Sequence, residues 1–207
     1  MTSSSLIDDS LVQAPIALDF AALPQWDAER FYLFCQANRE LRIEREARGK
    51  VIVMAPAGAE SSAANADLTM QLRLWALKEG SGVVFDSSGG FTLPDGATRS
   101  PDVSWVRRSR LAPLSAHQRS RFLPLCPDFV IELRSPTDRL IDLQDKMSEY
   151  MANGASCGLL IDPLTRVLQV YGPEGLQATL HTPASWAADA AMPQLTLDLT
   201  GIWEPGW

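Results

Sequence analysis

A chain of 207 residues with 46% apolar and 21% charged side chains fits one globular domain with a real core, and excludes a disordered or fibrous protein. It has no apolar run of about 18 residues to span a bilayer, and its opening lacks a basic start followed by an apolar block, so the cytoplasm is the expected compartment and no membrane partner is expected. A net charge of -7 argues against a protein that coats nucleic acid non-specifically, which depends on many phosphate contacts from Lys and Arg.

Met1 to Gln13, with its serines and Asp8-Asp9, reads as a tail or docked extension, and residues 1–24 are set apart from an expected single domain over 25–207. Trp26, Phe31 and Phe34 lie in a short helical stretch starting near Asp27. Leu41 to Glu44 and Val51 to Met54 form an expected hairpin around Arg48-Gly49-Lys50. From Ser61 to Lys78, Leu68, Leu72 and Trp75 recur at helical spacing, and Gly80 and Gly82 stop the pattern. Strand-sized pieces follow at Val83 to Phe85 and around Phe91, then a turn at Pro94-Asp95-Gly96.

Two strands end the central region, Asp102 to Val106 and Asp128 to Arg134, separated by a polar surface segment from Arg107 to Arg121. Ser135 and Pro136 combine an N-cap with a first-turn proline, and Leu140, Leu143, Met147, Tyr150 and Met151 give the following helix one apolar face, closed by Asn153-Gly154. Leu159 to Ile161 and Val167 to Tyr171 make another hairpin, and Leu195 to Leu199 alternates like a strand. This order is α/β, with a mixed sheet because several connections are hairpin-short. Cys35, Cys126 and Cys157 are odd in number and show no Cys-x-x-Cys pair, so neither a disulfide framework nor a zinc site is expected. His117 and His181 have no partner at ligand spacing and read as surface residues.

The chemistry concentrates on two acids. Strand parity puts Asp128, Val130, Glu132 and Arg134 on one face and Phe129, Ile131 and Leu133 on the other. Asp102 heads a face with Ser104 and Val106, so if the two strands are neighbours the carboxylates converge. Convergent carboxylates repel unless a cation sits between them, and magnesium would supply that charge together with a water able to attack phosphorus. Lys146 lies about 90° from the centre of the apolar face of its helix at roughly 100° per residue. From there it either reaches the acids, to orient water or stabilise phosphoryl charge, or pairs at the surface with Asp142, which spacing alone favours. Arg134 competes for the same role and could clamp a phosphate. The run Arg99, Arg107, Arg108, Arg110, Arg119 and Arg121, broken only by the acid Asp102, is either a positive surface for a polyanion or a solvated loop.

The run Phe122 to Pro136, containing Pro127-Asp128-Phe129-Val130-Ile131-Glu132-Leu133-Arg134-Ser135-Pro136, resembles the Uma family of restriction endonuclease-like proteins, of the PD-(D/E)XK nuclease superfamily. Lys146-Met147, Glu149-Tyr150, Asn153-Gly154 and Leu160-Ile161-Asp162-Pro163 extend it. Upstream it continues through Ser100-Pro101-Asp102 to Gly49 and Arg42-Ile43-Glu44. The resemblance implies a restriction-endonuclease-like mixed β-sheet flanked by helices, with an added N-terminal β-hairpin. It implies Asp102 and Glu132 as acidic metal ligands, joined by the backbone carbonyl of Leu133 and by Glu44 completing the acidic cluster. The lysine of the E-x-K element is replaced by Arg134, and Lys146 matches the helix position to which the family moves it. Asn65 stands where many relatives carry a histidine.

The implied activity is a magnesium-dependent DNA endonuclease, with manganese as a substitute metal, Lys146 assisting water and Arg134 contacting phosphate. A homodimer is expected from the resemblance alone. The alternative is a catalytically inactive nuclease-fold module for nucleic-acid or protein interaction. A hydrolase for another phosphate substrate is the third reading.

Overall fold

In the computed structural model, which describes residues 16–19, 27–189 and 192–206, the first element is strand β1 (Ile16–Asp19). It lies within the segment read as a tail or docked extension; Met1 to Gln13 and Trp26 fall outside the described residues. Asp27 then accepts the Arg30 N–H at 2.8 Å and so caps α1 (Ala28–Ala37), whose Phe31 is buried. The expected hairpin follows as β2 (Arg42–Arg45) and β3 (Lys50–Met54), turned at Gly49 with φ 90°. Helix α2 (Ala59–Glu79) buries Leu68, Leu72 and Ala76, and ends at Gly80 with φ 86°.

Next come β4 (Gly82–Asp86), the short β5 (Phe91–Thr92) and β6 (Thr98–Arg99), and β7 (Val103–Arg107). The surface segment contains two single-turn helices, α3 (Arg108–Leu111) and α4 (Ala116–Arg119), the second held by a Ser115–Gln118 capping box. Strand β8 (Phe129–Leu133) leads into α5 (Leu140–Ala152), then β9 (Cys157–Asp162), β10 (Val167–Gly172) and β11 (Gly175–His181). The chain closes with β12 (Ser185–Ala187), β13 (Thr196–Asp198) and α6 (Thr200–Trp203).

Helix α5 starts later than Ser135 and Pro136 imply. Asp138 Oδ2 accepts both the Ser135 N–H at 2.8 Å and its hydroxyl at 2.6 Å. The capping groups are thus consumed in a turn, and the helix begins after Arg139 without a side-chain cap.

Strands pair into a six-stranded sheet ordered β11-β10-β9-β8-β7-β4 and a five-stranded one ordered β1-β3-β2-β6-β5. In the larger sheet only β8 and β9 run parallel, joined by the α5 crossover; its other neighbours are antiparallel. The expected α/β mixed sheet flanked by helices is therefore present. The N-terminal hairpin is more than an appendage, since β1, β5 and β6 extend it into a second sheet.

Alternation sorts the larger sheet into two cores. Val103, Trp105, Phe129, Ile131 and Leu133 face α2 and the C-terminal elements. Val106, Val130 and Leu160 face Met147, Tyr150 and Met151 of α5. Gly158 on β9 leaves room for the Met147 and Met151 methyl ends, so α5 lies close on the sheet. Asp102 and Glu132 share the α5 face with Val106 and Val130. Among the described residues, no helix is long and apolar enough to cross a membrane.

Candidate active site

The two acids converge through strand register. Antiparallel β7 and β8 pair Val103 with Ile131 and Ser104 with Val130, and one further step along the ladder sets Asp102 opposite Glu132. Directly opposed residues on an antiparallel pair point to one face, with Cβ atoms about 5 Å apart. The Leu133 N–H also donates to Asp102 Oδ2 at 2.9 Å, so the peptide after Glu132 is tied to the other acid.

Lys146 reaches this point from α5. Its side chain is buried, and Nζ stands 2.9 Å from both Glu132 Oε1 and Glu44 Oε1. The surface pairing with Asp142 is not what forms, because Asp142 pairs with Arg139 at 3.7 Å and Lys146 turns inward. One turn further along α5, the Tyr150 hydroxyl donates to Glu132 Oε1 at 2.8 Å.

Glu44 comes from β2 of the smaller sheet and has both oxygens engaged. Oε1 accepts from the Ser100 N–H and from Lys146, both at 2.9 Å, and Oε2 faces Arg99 Nη1 at 3.3 Å. Arg99 in turn donates through Nε to Glu149 at 2.5 Å. Asp102 Oδ1 receives Arg42 Nη2 and Asn65 Nδ2, each at 3.3 Å. Two buried atoms at this end, Arg42 Nε and Asn65 Oδ1, have no hydrogen-bond partner.

Burial pushes the Glu44 carboxyl up, but Lys146, Arg99 and the Ser100 N–H outweigh it and bring it down to about 2. Burial pushes Glu132 up as well; Lys146 opposes this, Asp102 and Glu44 add to it, and it reaches about 7. The two acids that share Lys146 thus differ: Glu44 is held low by Lys146 and Arg99, while burial and the neighbouring Asp102 and Glu44 keep Glu132 above the ordinary carboxylate range despite Lys146. Burial would lower Lys146, yet Glu132 and Glu44 hold it above the ordinary lysine value.

Arg134 goes elsewhere. Nη1 pairs with Asp162 Oδ2 at 2.8 Å and Nε donates to the Asp138 carbonyl at 3.2 Å. The arginine run also divides, because only Arg99 joins the acids. Arg107 and Arg110 pair with Asp128 at 3.6 and 3.2 Å, at the far end of β7 and β8 from Asp102. Arg121 pairs with Glu29 at 3.1 Å and lies over Tyr32. A positive surface around Asp102 is therefore not what the stretch builds.

Glu44, Lys146, Arg99 and Glu149 face a cleft of about 590 Å³ between the hairpin and α5. Among the described residues, no group of three or more His, Cys, Asp or Glu side chains could hold a metal, so an ion here would take at most two carboxylates. Sequence reasoning read Tyr150 only as part of an apolar face, Arg99 only as one of an arginine run and Arg42 only as part of the resemblance. The i,i+4 spacing of Lys146 and Tyr150 was the available signal, whereas Arg42 and Arg99 arrive through contacts distant in sequence. Cys35, Cys126 and Cys157 are free thiols that burial pushes up to about 11, 12 and 12.

A model of the Uma2 family, described as "Putative restriction endonuclease", matches residues 28–200. The crystal structure of "a putative nuclease belonging to DUF820" from Anabaena variabilis has a similar fold, with TM-score 0.67 and 20% identity, covering 79% of this chain and 90% of that one. No curated protein matches the chain.

Proposed function

Because the chain belongs to the Uma2 family of restriction endonuclease-like proteins, we propose that it is a metal-dependent DNA endonuclease working at Asp102, Glu132 and Lys146. The observation that carries this reading is that Asp102 accepts the N–H of Leu133, next to Glu132, at 2.9 Å while Lys146 Nζ lies 2.9 Å from Glu132. The donors available are oxygens only, Asp102, Glu132 and the carbonyl of Leu133, with the unpartnered Asn65 Oδ1 nearby. Such a set fits magnesium or manganese, which take one or two carboxylates and keep several waters. When bound, the metal would polarise the phosphate and lower the pKa of a coordinated water.

Each residue then has a task set by its contacts. Asp102 is aimed by the Leu133 N–H, and Tyr150 fixes one oxygen of Glu132. Lys146, held between two carboxylates, presents a fixed positive charge beside the phosphate, where it would stabilise the charge that grows on the non-bridging oxygens. Glu44 positions Lys146 rather than serving as a ligand, since both its oxygens already face cations or an amide. Arg42, one-third exposed on the Asp102 side, would turn toward a phosphate once a metal neutralises that acid, by giving up the Ser100 carbonyl it holds at 2.9 Å. Arg134, expected to contact phosphate, would do so only by giving up Asp162. Two copies acting together in the cytoplasm would cut both strands.

Purified wild type, Asp102→Asn, Glu132→Gln and Lys146→Ala proteins incubated with supercoiled plasmid and magnesium test the reading. Only wild type should nick. Equal nicking by all four would mean a contaminant and would sink the assignment. A non-catalytic module is the second reading, favoured by the way Arg42 and Lys146 already compensate Asp102 and Glu132. Failure to bind manganese at millimolar concentration, with DNA binding that survives loss of both acids, would select it.

A further inference from the structure

Helix α2 is apolar on both sides. Its inner face buries Leu68, Leu72 and Ala76, while Met70, Leu74 and Leu77 are 53%, 61% and 61% exposed. At about 100° per residue, Ala63, Ala66, Met70, Leu74 and Leu77 form a single stripe, turned roughly 180° from the buried face. All five are exposed. A helix with apolar residues all round is one that is covered all round. The stripe is unbroken by charge, because Asp67 turns aside toward Gly201 and Arg73 lies on the margin.

We infer that this face of α2 packs against the same face of a second copy, with the two helices antiparallel. The stripe is self-complementary in that arrangement alone. Its amino-terminal half carries small residues and its carboxy-terminal half large ones, so a twofold axis near residues 68 and 69 sets Ala66 against the partner's Met70 and Ala63 against the partner's Leu74. The large side chains of one helix thereby fill the space above the alanines of the other. Charge agrees. Glu60 and Lys78 lie on the same flank of the stripe, both exposed and neither ion-paired within the chain among the described residues. The same axis brings Glu60 opposite the partner's Lys78, twice per dimer. A parallel pair would instead put the two flanks on opposite sides of the seam, where Glu60 and Lys78 could not meet. A contact of one helix face is smaller than the roughly 800 Å² per partner of a standard interface, so the dimer is a weak one.

This gives the self-association proposed above a surface, and it is tested without DNA or metal, so either reading can fail alone. Sedimentation velocity on the full chain, from about 1 to 200 µM, covers dissociation constants of that order. Wild type should move from the 22.7 kDa monomer toward twice that mass. Met70→Glu and Leu74→Glu, both at exposed positions, should stay monomeric with unchanged thermal unfolding. Glu60→Lys should weaken the dimer at least threefold, and adding Lys78→Glu to it should restore assembly. A wild type that remains monomeric throughout would mean that another molecule covers the stripe, and overturns the inference. A dimer that survives both glutamates would place the contact elsewhere. Failure of the double swap to rescue would overturn the antiparallel register.

Discussion

Replacing Glu44 by Gln separates a positioning carboxylate from a metal ligand. Lys146 Nζ lies 2.9 Å from the Glu44 and Glu132 carboxylates alike, and the substitution keeps the shape of one partner while removing its charge. A charge-assisted hydrogen bond contributes roughly 1.5–3 kcal/mol and a neutral one about half that, so the hold on Lys146 weakens by about 1–2 kcal/mol. If that hold serves the transition state, kcat falls about 5- to 30-fold. Manganese affinity, measured by calorimetry, should change less than about threefold, since Asp102 and Glu132 remain, whereas Asp102→Asn should lose at least about tenfold. The same charge helps push Glu132 up, so the pH at which manganese begins to bind should move down in Glu44→Gln. Thermal unfolding must accompany the assay, because Arg99 and Lys146 lose a buried counter-charge. A fall in manganese affinity as large as that of Asp102→Asn would refute the reasoning and make Glu44 the ligand that the family resemblance implies.

Metal binding and cleavage should rise with pH through about 7, the value to which Glu132 is pushed, because its protonated carboxyl cannot ligate; a flat profile between pH 6 and 8 counts against Glu132 as ligand. Stability has the opposite sign there. A carboxyl raised from 4.5 to about 7 contributes stability that is complete below pH 4.5 and lost as pH rises through 7, so the permanently neutral Glu132→Gln should gain in Tm on wild type between pH 5 and 8. Arg134→Ala should lose stability by about 1–3 kcal/mol in urea melts, because the buried Asp162 loses its counter-charge and keeps only the Leu164 and Thr165 donors, while Lys146→Ala should lose activity first. In Gly82→Ala the new methyl would overlap the buried Trp105 indole, costing about 1–3 kcal/mol by the same measurement.

Much of the site could be read from strand parity. The alternation of Asp128 to Leu133 assigned Glu132 to the face opposite Phe129 and Ile131, and the sheet places it there. The same parity put Arg134 beside Glu132, and that part did not carry over into a contact. Strand β8 ends at Leu133, and a residue past the end of a strand is governed by its loop, here by Asp138 and Asp162. Lys146 failed in the opposite direction. Helical spacing sees Asp142 four residues away, but the affinity of a buried ammonium is decided by groups from other elements, Glu44 on β2 and Glu132 on β8. Local periodicity holds no information on which strand ends meet it. The five-stranded sheet was legible only as its hairpin, because β5 and β6 are two residues each and two residues display no period.

The cation of this site comes from the helix for a geometric reason. A lysine two residues after Glu132 would have to project from a position just beyond β8, whose N–H still pairs with the Ile161 carbonyl at 2.8 Å and where the carboxylate of Asp162 waits 2.8 Å from the side chain that occupies it. That environment suits an arginine, which spends Nη1 on Asp162 and Nε on the Asp138 carbonyl at once. With the position claimed, a positive charge can reach Glu132 only from across the sheet face, and α5 is the element packed on that face. On α5, Lys146 occupies the turn before Tyr150, so the two together grip one oxygen of Glu132. Its ammonium is then 2.9 Å from Glu44 as well, which binds the smaller sheet to the larger at the acids. The hairpin sheet is thereby part of the site, and a substitution that loosened β2 from α5 should be felt at Lys146 before it is felt in the core.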